Sequence, residues 1–214
     1  MKEMMKLERV LPAEIEKRSF EIITRELGNR VLPSDEEAVI KRVIHTTADF
    51  DYADNLVFSE NAVEKALAAL RLGAVIVTDT NMGKAGINKK SLAAAGGEVF
   101  CFMADEDVAE KAGREGTTRA AASMDKAASL EKRCIFAIGN APTALVRLYE
   151  LIEEKRIFPE LIIGVPVGFV NVVQSKELIM SLKDIPFIVA KGRKGGSNVA
   201  AAICNALIYQ IARR

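Results

Sequence analysis

The stretch Ala74-Val75-Ile76-Val77-Thr78-Asp79-Thr80-Asn81-Met82-Gly83 decides the fold. Its first four residues are apolar without alternation, as a strand buried on both faces requires. Polar residues and a glycine follow at once. Leu161-Ile162-Ile163 repeats the apolar run, with Gly164 after it. Working outward, short β-branched runs at 56–58, 74–78, 98–103, 134–138, 161–165 and 187–190 read as strands. Between them, residues 60–72, 88–95, 118–130, 143–155, 169–182 and 197–213 read mostly as amphipathic helices. Strands alternating with helices require right-handed crossovers. The predicted class is therefore α/β: a doubly wound, mostly parallel central sheet flanked by helices.

The first 50 residues read as helices only, giving an N-terminal helical segment. Residues 11–27 carry apolar positions near helical spacing (Ile15, Phe20, Ile22, Ile23, Leu27), and Gly28 stops them. Ser34-Asp35-Glu36-Glu37 has the form of a capping box opening a second helix that runs to about Thr47.

At 214 residues the chain suits one α/β domain spanning 1–214. Half of it is hydrophobic, aromatics are few and Trp is absent, so Ala, Val, Ile and Leu must build the core. Lys and Arg number 30 against 29 Asp and Glu, with no basic stripe, which argues against a nucleic-acid partner. Cys101, Cys134 and Cys204 lack metal-ligand spacing, and Cys101 and Cys134, in apolar strand-like runs, read as small buried hydrophobes, so no metal site is expected. Their odd number without a framework suggests a reducing compartment. No run of about 18 apolar residues occurs, and residues 1–9 are charged without an apolar signal core. The expectation is a soluble cytoplasmic protein with no membrane partner.

Ligands of doubly wound sheets bind outside the carboxyl ends of the strands. That rule selects Thr78 to Gly83 as quoted, then Met103-Ala104-Asp105, Gly139-Asn140-Ala141-Pro142-Thr143, Gly164-Val165-Pro166-Val167-Gly168 and Gly192-Arg193-Lys194-Gly195-Gly196-Ser197. The last of these follows a strand and opens the final helix at Ser197. It reads either as an anion cradle, with glycines admitting the ligand to free amides, or as a tight turn. Asn140 can cap its helix while Pro142 fills the first turn, or the amides there can receive a ligand. Arg119 begins a helix after Gly116-Thr117-Thr118, where it is either a carboxylate fork or a solvated side chain. Residues 105–115 read as a solvated helix face.

His45 is the chain's single histidine. Any imidazole proton transfer near neutrality falls to it, the alternative being a structural role. It precedes the acidic segment Asp49-Phe50-Asp51-Tyr52-Ala53-Asp54, and Arg42 shares its helix face at three residues' spacing. This pairing suggests an anionic ligand. There is no Gly-x-Ser-x-Gly elbow, no P-loop and no His-Glu-x-x-His. A nucleotide-dependent oxidoreductase would need a dinucleotide motif early in the chain, and none is present.

In order along the chain, Lys17-Arg18-Ser19-Phe20-Glu21-Ile22-Ile23, Val43-Ile44-His45, Gly116-Thr117-Thr118-Arg119-Ala120-Ala121-Ala122, Ile138-Gly139-Asn140-Ala141-Pro142-Thr143-Ala144-Leu145, Gly164-Val165-Pro166-Val167-Gly168-Phe169-Val170 and Gly192-Arg193-Lys194-Gly195-Gly196-Ser197 resemble the precorrin-8X methylmutase family. The likeness spans almost the whole chain, with residues 1–8 as a variable end. The resemblance implies an isomerase of cobalamin biosynthesis that moves the C-11 methyl group to C-12 of precorrin-8 or its cobalt form. It implies no separate cofactor and a tetrapyrrole substrate, which itself carries cobalt or not. It places the proton donor and acceptor on His45 and substrate contacts on Ser19 and Arg42. It also places Arg119 near the site, from the partner subunit of a homodimer. Asn140 and Ser197 join the expected substrate contacts as amide-rich helix starts. Arg193 is a further candidate for the carboxylates, and Val165, Val167, Phe169 and Met82 for the ring. A non-catalytic tetrapyrrole carrier is the alternative from another class.

Overall fold

A computed structural model describes residues 8–212. The stretch read as a variable end lies, apart from Glu8, outside the described residues, as does the predicted last residue of the final helix, Arg213. A single 3₁₀ turn, Pro12–Glu14, leads into α1 (Ile15–Leu27) and α2 (Glu37–Thr47). After α3 (Tyr52–Asn55), strands and helices alternate: β1 (Leu56–Phe58), α4 (Ala62–Arg71), β2 (Val75–Thr78), α5 (Asn81–Gly86), α6 (Lys89–Ala94) and β3 (Val99–Phe100). The second half continues with α7 (Glu106–Glu115), α8 (Arg119–Ala127), β4 (Cys134–Ile138), α9 (Pro142–Glu153), β5 (Leu161–Gly164), α10 (Val172–Met180), β6 (Phe187–Ala190) and α11 (Ser197–Ala212).

The six strands form one sheet in the order β1-β6-β5-β4-β2-β3. All pairs are parallel except β1 with β6, where Leu56 faces Ala190 and Phe58 faces Ile188. The expected α/β class and mostly parallel sheet are thus observed, with the exception at one edge.

Successive residues of a strand point to opposite faces, and here both faces are covered. Ile76, Ile135, Leu161 and Ile188 pack with α1, α2, α4 and α11. Val75, Val77, Phe136, Ile162 and Val189 pack with α7 to α10. This is the reason the strands read as unbroken apolar runs. No described helix is long and apolar enough to cross a membrane. Cys101, Cys134 and Cys204 are free and buried. Burial pushes the Cys134 thiol up to about 11 and that of Cys204 up to about 12.

Three local expectations need correction. The Ser34 to Glu37 capping box does not form, because no side chain caps α2. The Pro33 carbonyl already accepts the amides of Glu36 and Glu37 at 3.1 and 2.9 Å, and the Glu37 carboxylate turns forward to Lys41. The third strand is only Val99–Phe100, since it is an edge strand paired over two residues. The end of the Thr78 to Gly83 segment opens a helix that was not expected, α5, with Thr80 capping it through a 3.0 Å bond from the Gly83 amide.

Candidate active site

β2 has β3 on one side and β4 on the other, so chain connections diverge at the β2–β4 boundary. A crevice opens at such a switch point in doubly wound sheets. Here the protein fills it with its own carboxylate. Asp79, just past β2 and 1 % exposed, accepts the amides of Gly139, Asn140 and Ala141 at 2.9, 2.8 and 2.6 Å. Burial pushes its carboxyl above the usual range, and the three amide bonds pull it back in part. Asn140 therefore does not cap its helix: the cap position is Ala141, and no side chain serves it. The amides that a phosphate could have used are taken, which removes the structural basis for a nucleotide at this point. Asp79 was missed from sequence. Its signal was an acidic residue at a strand's carboxyl end, within the quoted ligand segment.

The other turns close around this one. The Ser197 hydroxyl is 2.7 Å from that of Thr80, joining the start of α11 to the end of β2. Thr118 and Thr143 hydroxyls lie 2.8 Å apart, which sets Arg119, the first residue of α8, beside the start of α9. Arg119 is exposed, and no carboxylate among the described residues pairs with it. Arg193 lies over the Phe169 ring at 5.3 Å. Phe169, Val167 and Met82 are 80, 49 and 71 % exposed on this edge, a group of large apolar side chains left facing water. Val165, in contrast, is 0 % exposed, so it cannot face a ligand.

His45 reaches the same edge by a route that the sequence did not disclose. Because β1 is antiparallel, the chain enters it from the carboxyl end, where the Lys191 amide donates to the Asn55 carbonyl at 2.8 Å. The end of α2 and the loop before α3 come with it. Lys194 fixes that loop, with Nζ at 2.6 Å from both Asp49 and Asp51. Its bonds to the two carboxylates, Asp49 first, hold the ammonium well above the ordinary lysine range. Ala48, in the left-handed conformation at φ 54°, ends α2 three residues after His45.

His45 is exposed. Its ring stacks on Phe20 of α1 with centroids 5.4 Å apart and planes at 24°. The Arg42 guanidinium sits 4.9 Å from the same ring and 5.3 Å from that of Tyr209, and ion-pairs with Glu16 at 2.8 Å. Ser19 adjoins Phe20 on α1, its hydroxyl donating to the Ile15 carbonyl at 2.9 Å. The structure thus gathers the expected residues into two groups. His45, Arg42 and Ser19 meet around Phe20, while Arg119, Asn140 and Ser197 lie on the strand-end turns. The Lys194 bonds tie the two. Arg42 is not free to meet a ligand carboxylate alone, since Glu16 already holds it. A cleft of about 1210 Å³ runs along α1, α2 and the far half of α11. Phe20, Arg42, Lys41 and Tyr209 line it, and His45 does not. Among the described residues no cluster of three or more His, Cys, Asp or Glu is arranged to hold a metal ion.

The family model for precorrin-8X methylmutase matches residues 14–210. Cobalt-precorrin-8 methylmutase of Salmonella typhimurium is 47% identical over 206 residues, which cover 94% of this chain and 96% of that one. The enzyme of the same name from Priestia megaterium is 44% identical over 198 residues, covering 92% of this chain and 88% of that one. The crystal structure of precorrin-8x methyl mutase from Thermus thermophilus is similar with a TM-score of 0.86 at 39% identity, covering 94% of this chain and 98% of that chain.

Proposed function

The chain belongs to the precorrin-8X methylmutase family, and from that premise we propose that it moves the C-11 methyl group of cobalt-precorrin-8 to C-12, with His45 as general acid and base. The migration is intramolecular. The bond from C-11 to the methyl carbon breaks as the bond to C-12 forms, and no electrons leave the macrocycle. No separate cofactor is needed, and the cobalt is the substrate's own. The choice of the cobalt form follows the relatives named for it at 44 and 47% identity.

The observation that carries the reading is the setting of His45. It is the one imidazole in the chain, exposed, stacked on Phe20, and on a helix end strapped to the carboxyl edge of the sheet. Because the cobalt occupies the ring nitrogens, His45 lends its proton to the conjugated carbon framework instead, which draws electrons from the migration terminus, and takes the proton back when the methyl group has moved. General acid help of this kind is worth about 10²–10⁴-fold. Arg119 and Arg193, neither paired to a carboxylate among the described residues, suit the peripheral carboxylates of the macrocycle. Phe169, Val167 and Met82 suit its apolar face. Holding a large ring in one pose supplies much of the remaining rate. Asn140 and Ser197 contribute through the helix starts on which they lie, Ser19 and Arg42 through the α1–α2 face. We place the enzyme in the cytoplasm as a homodimer, with the partner copy bringing Arg119 to the site.

The test is turnover of precorrin-8, with and without cobalt, followed by the absorption change as ring conjugation shifts, for wild type and His45→Asn. Conversion by wild type, with kcat lowered about 10²-fold or more in the variant and KM little changed, supports the reading. Undiminished turnover by His45→Asn would remove His45 from the mechanism. Tight binding without conversion by wild type would make the chain a carrier.

A further inference from the structure

Lys176, on α10, is 1 % exposed, among the largest fully buried side chains of the chain. An ammonium in that setting needs compensation, normally a carboxylate. None contributes here: burial alone acts on the group, lowering it to about 8. Its partners are two backbone carbonyls of a single loop, Gly192 and Lys194, each at 2.8 Å. The carbonyl between them, of Arg193, accepts the Gly168 amide at 3.2 Å. Three successive carbonyls of the β6–α11 loop thus have partners, and two of them share one buried amine. The same loop is held from below by the Gly196 amide on the Val165 carbonyl at 2.8 Å, and outside by Lys194 on Asp49 and Asp51. Val165 approaches so closely that a Cβ on Gly195 would lie 2.0 Å from its oxygen. A side chain serving only as core filler would have been apolar, like its neighbour Ile179 on α10.

We infer that Lys176 is a positioning residue: its buried amine anchors the Gly192–Gly196 loop from inside, so that Arg193 faces the substrate and Lys194 holds the end of α2 that carries His45. The inference rests on the methylmutase reading for its effect on substrate, and on geometry alone for its effect on the loop.

Lys176→Met matches the side chain in length and removes both bonds. Lys194→Met cuts the strap at its exposed end, where no core is disturbed. Native-state hydrogen exchange, read at residues 165–168 and 192–197, is combined with KM and kcat for the macrocycle. In Lys176→Met the Gly168 and Gly196 amides exchange about tenfold faster or more, while those of β4 and β5 keep their protection. KM rises about tenfold with a smaller fall in kcat, since a substrate grip is loosened. Lys194→Met reproduces the KM rise, and the double variant is no worse than Lys176→Met alone, because both cut one strap. Unchanged exchange in the loop overturns the inference, and so does faster exchange spread evenly through the core with KM unmoved. If Lys176→Met fails to fold, Lys176→Gln, whose amide nitrogen stops one bond short of the amine's position and carries no charge, takes its place, and either of those two results overturns the inference there as well. If wild type turns over no macrocycle, the functional reading fails and the exchange arm decides the strap by itself.

Discussion

Gly139→Ala tests the joint on which the carboxyl edge depends. Gly139 directly follows β4, and a Cβ there would lie 2.6 Å from Ser197 Cα, 2.7 Å from Ser197 N and 2.8 Å from the Gly196 carbonyl oxygen. Ordinary contact begins near 3.4 Å, so a gap of about 0.8 Å must open between two pieces of backbone. Neither can rotate away as a side chain would. Overpacking of this sort costs about 1–3 kcal/mol, and rigid partners on both sides place it near 3. For a domain of this size that lowers Tm by about 6–12 °C. The same movement pulls the three amides held by Asp79 away from the start of α11. A displacement near 1 Å at a site is worth about 10²-fold in rate, so kcat/KM falls by roughly that factor. The assay is thermal unfolding followed by circular dichroism, with turnover of the macrocycle in parallel. Gly113→Ala is the control: it lies within α7, a Cβ there meets nothing within 4 Å, and the variant gains about 0.5–1 kcal/mol. If Gly139→Ala melts within about 0.5 kcal/mol of wild type and turns over at full rate, the two turns do not touch in solution and the reasoning fails.

Lys176 gives stability a slope at alkaline pH. Its folded value of about 8 lies below the ordinary 10.5, so between those limits the unfolded chain binds more protons and stability rises with pH, by at most ~3 kcal/mol in all. The neutral amine still has protons to donate to both carbonyls. Urea midpoints from pH 7.5 to 10 should climb more steeply for wild type than for Lys176→Met, and parallel curves would show that the amine is not desolvated. The thiols make a separate prediction. With Cys134 at about 11 and Cys204 at about 12, and all three cysteines buried, iodoacetamide at pH 8 labels the native protein slowly and the urea-unfolded chain at all three positions. Rapid labelling of the native protein would mean that these core regions open readily.

The strands were legible because burial on both faces leaves a simple mark, an unbroken apolar run such as Val75 to Val77 or Leu161 to Ile163. Helix starts were harder. Ser34 to Glu37 has the letters of a capping box, yet the Pro33 carbonyl claims the amides first. A local motif predicts a bond only if no better-placed backbone group competes for the same donor. The same competition settled Asn140. Asp79 lies 60 residues away from Gly139 in sequence and takes the amides there, and no spacing rule connects the two. Arg42 was legible as a neighbour of His45 because both lie on one helix face. Its pairing with Glu16, and the Phe20 ring that both it and His45 meet, belong to the packing of α1 against α2, which periodicity alone does not fix. Arg193 stood out only as one of several cations, and the inward turn of its loop onto Lys176 has no local signature at all.

The antiparallel edge strand matters more to the site than its three residues suggest. In a wholly parallel sheet the chain would enter β1 at the amino edge, and the helices before it would deliver their ends there. His45 would then sit away from the glycine turns by at least the length of the strand, about 10 Å. Reversal of β1 instead brings Asn55 against Lys191, and with it Asp49 and Asp51 into reach of Lys194. The N-terminal helices carry the only imidazole, and the α/β body carries the helix starts together with Arg119 and Arg193. Neither part holds both. A residue at position 194 that could not bridge to Asp49 and Asp51 would loosen this seam while leaving the side chains on either side of it in place locally. The nearness of His45 to the strand-end turns therefore follows from one reversed strand, with one lysine bridging the seam between the two parts.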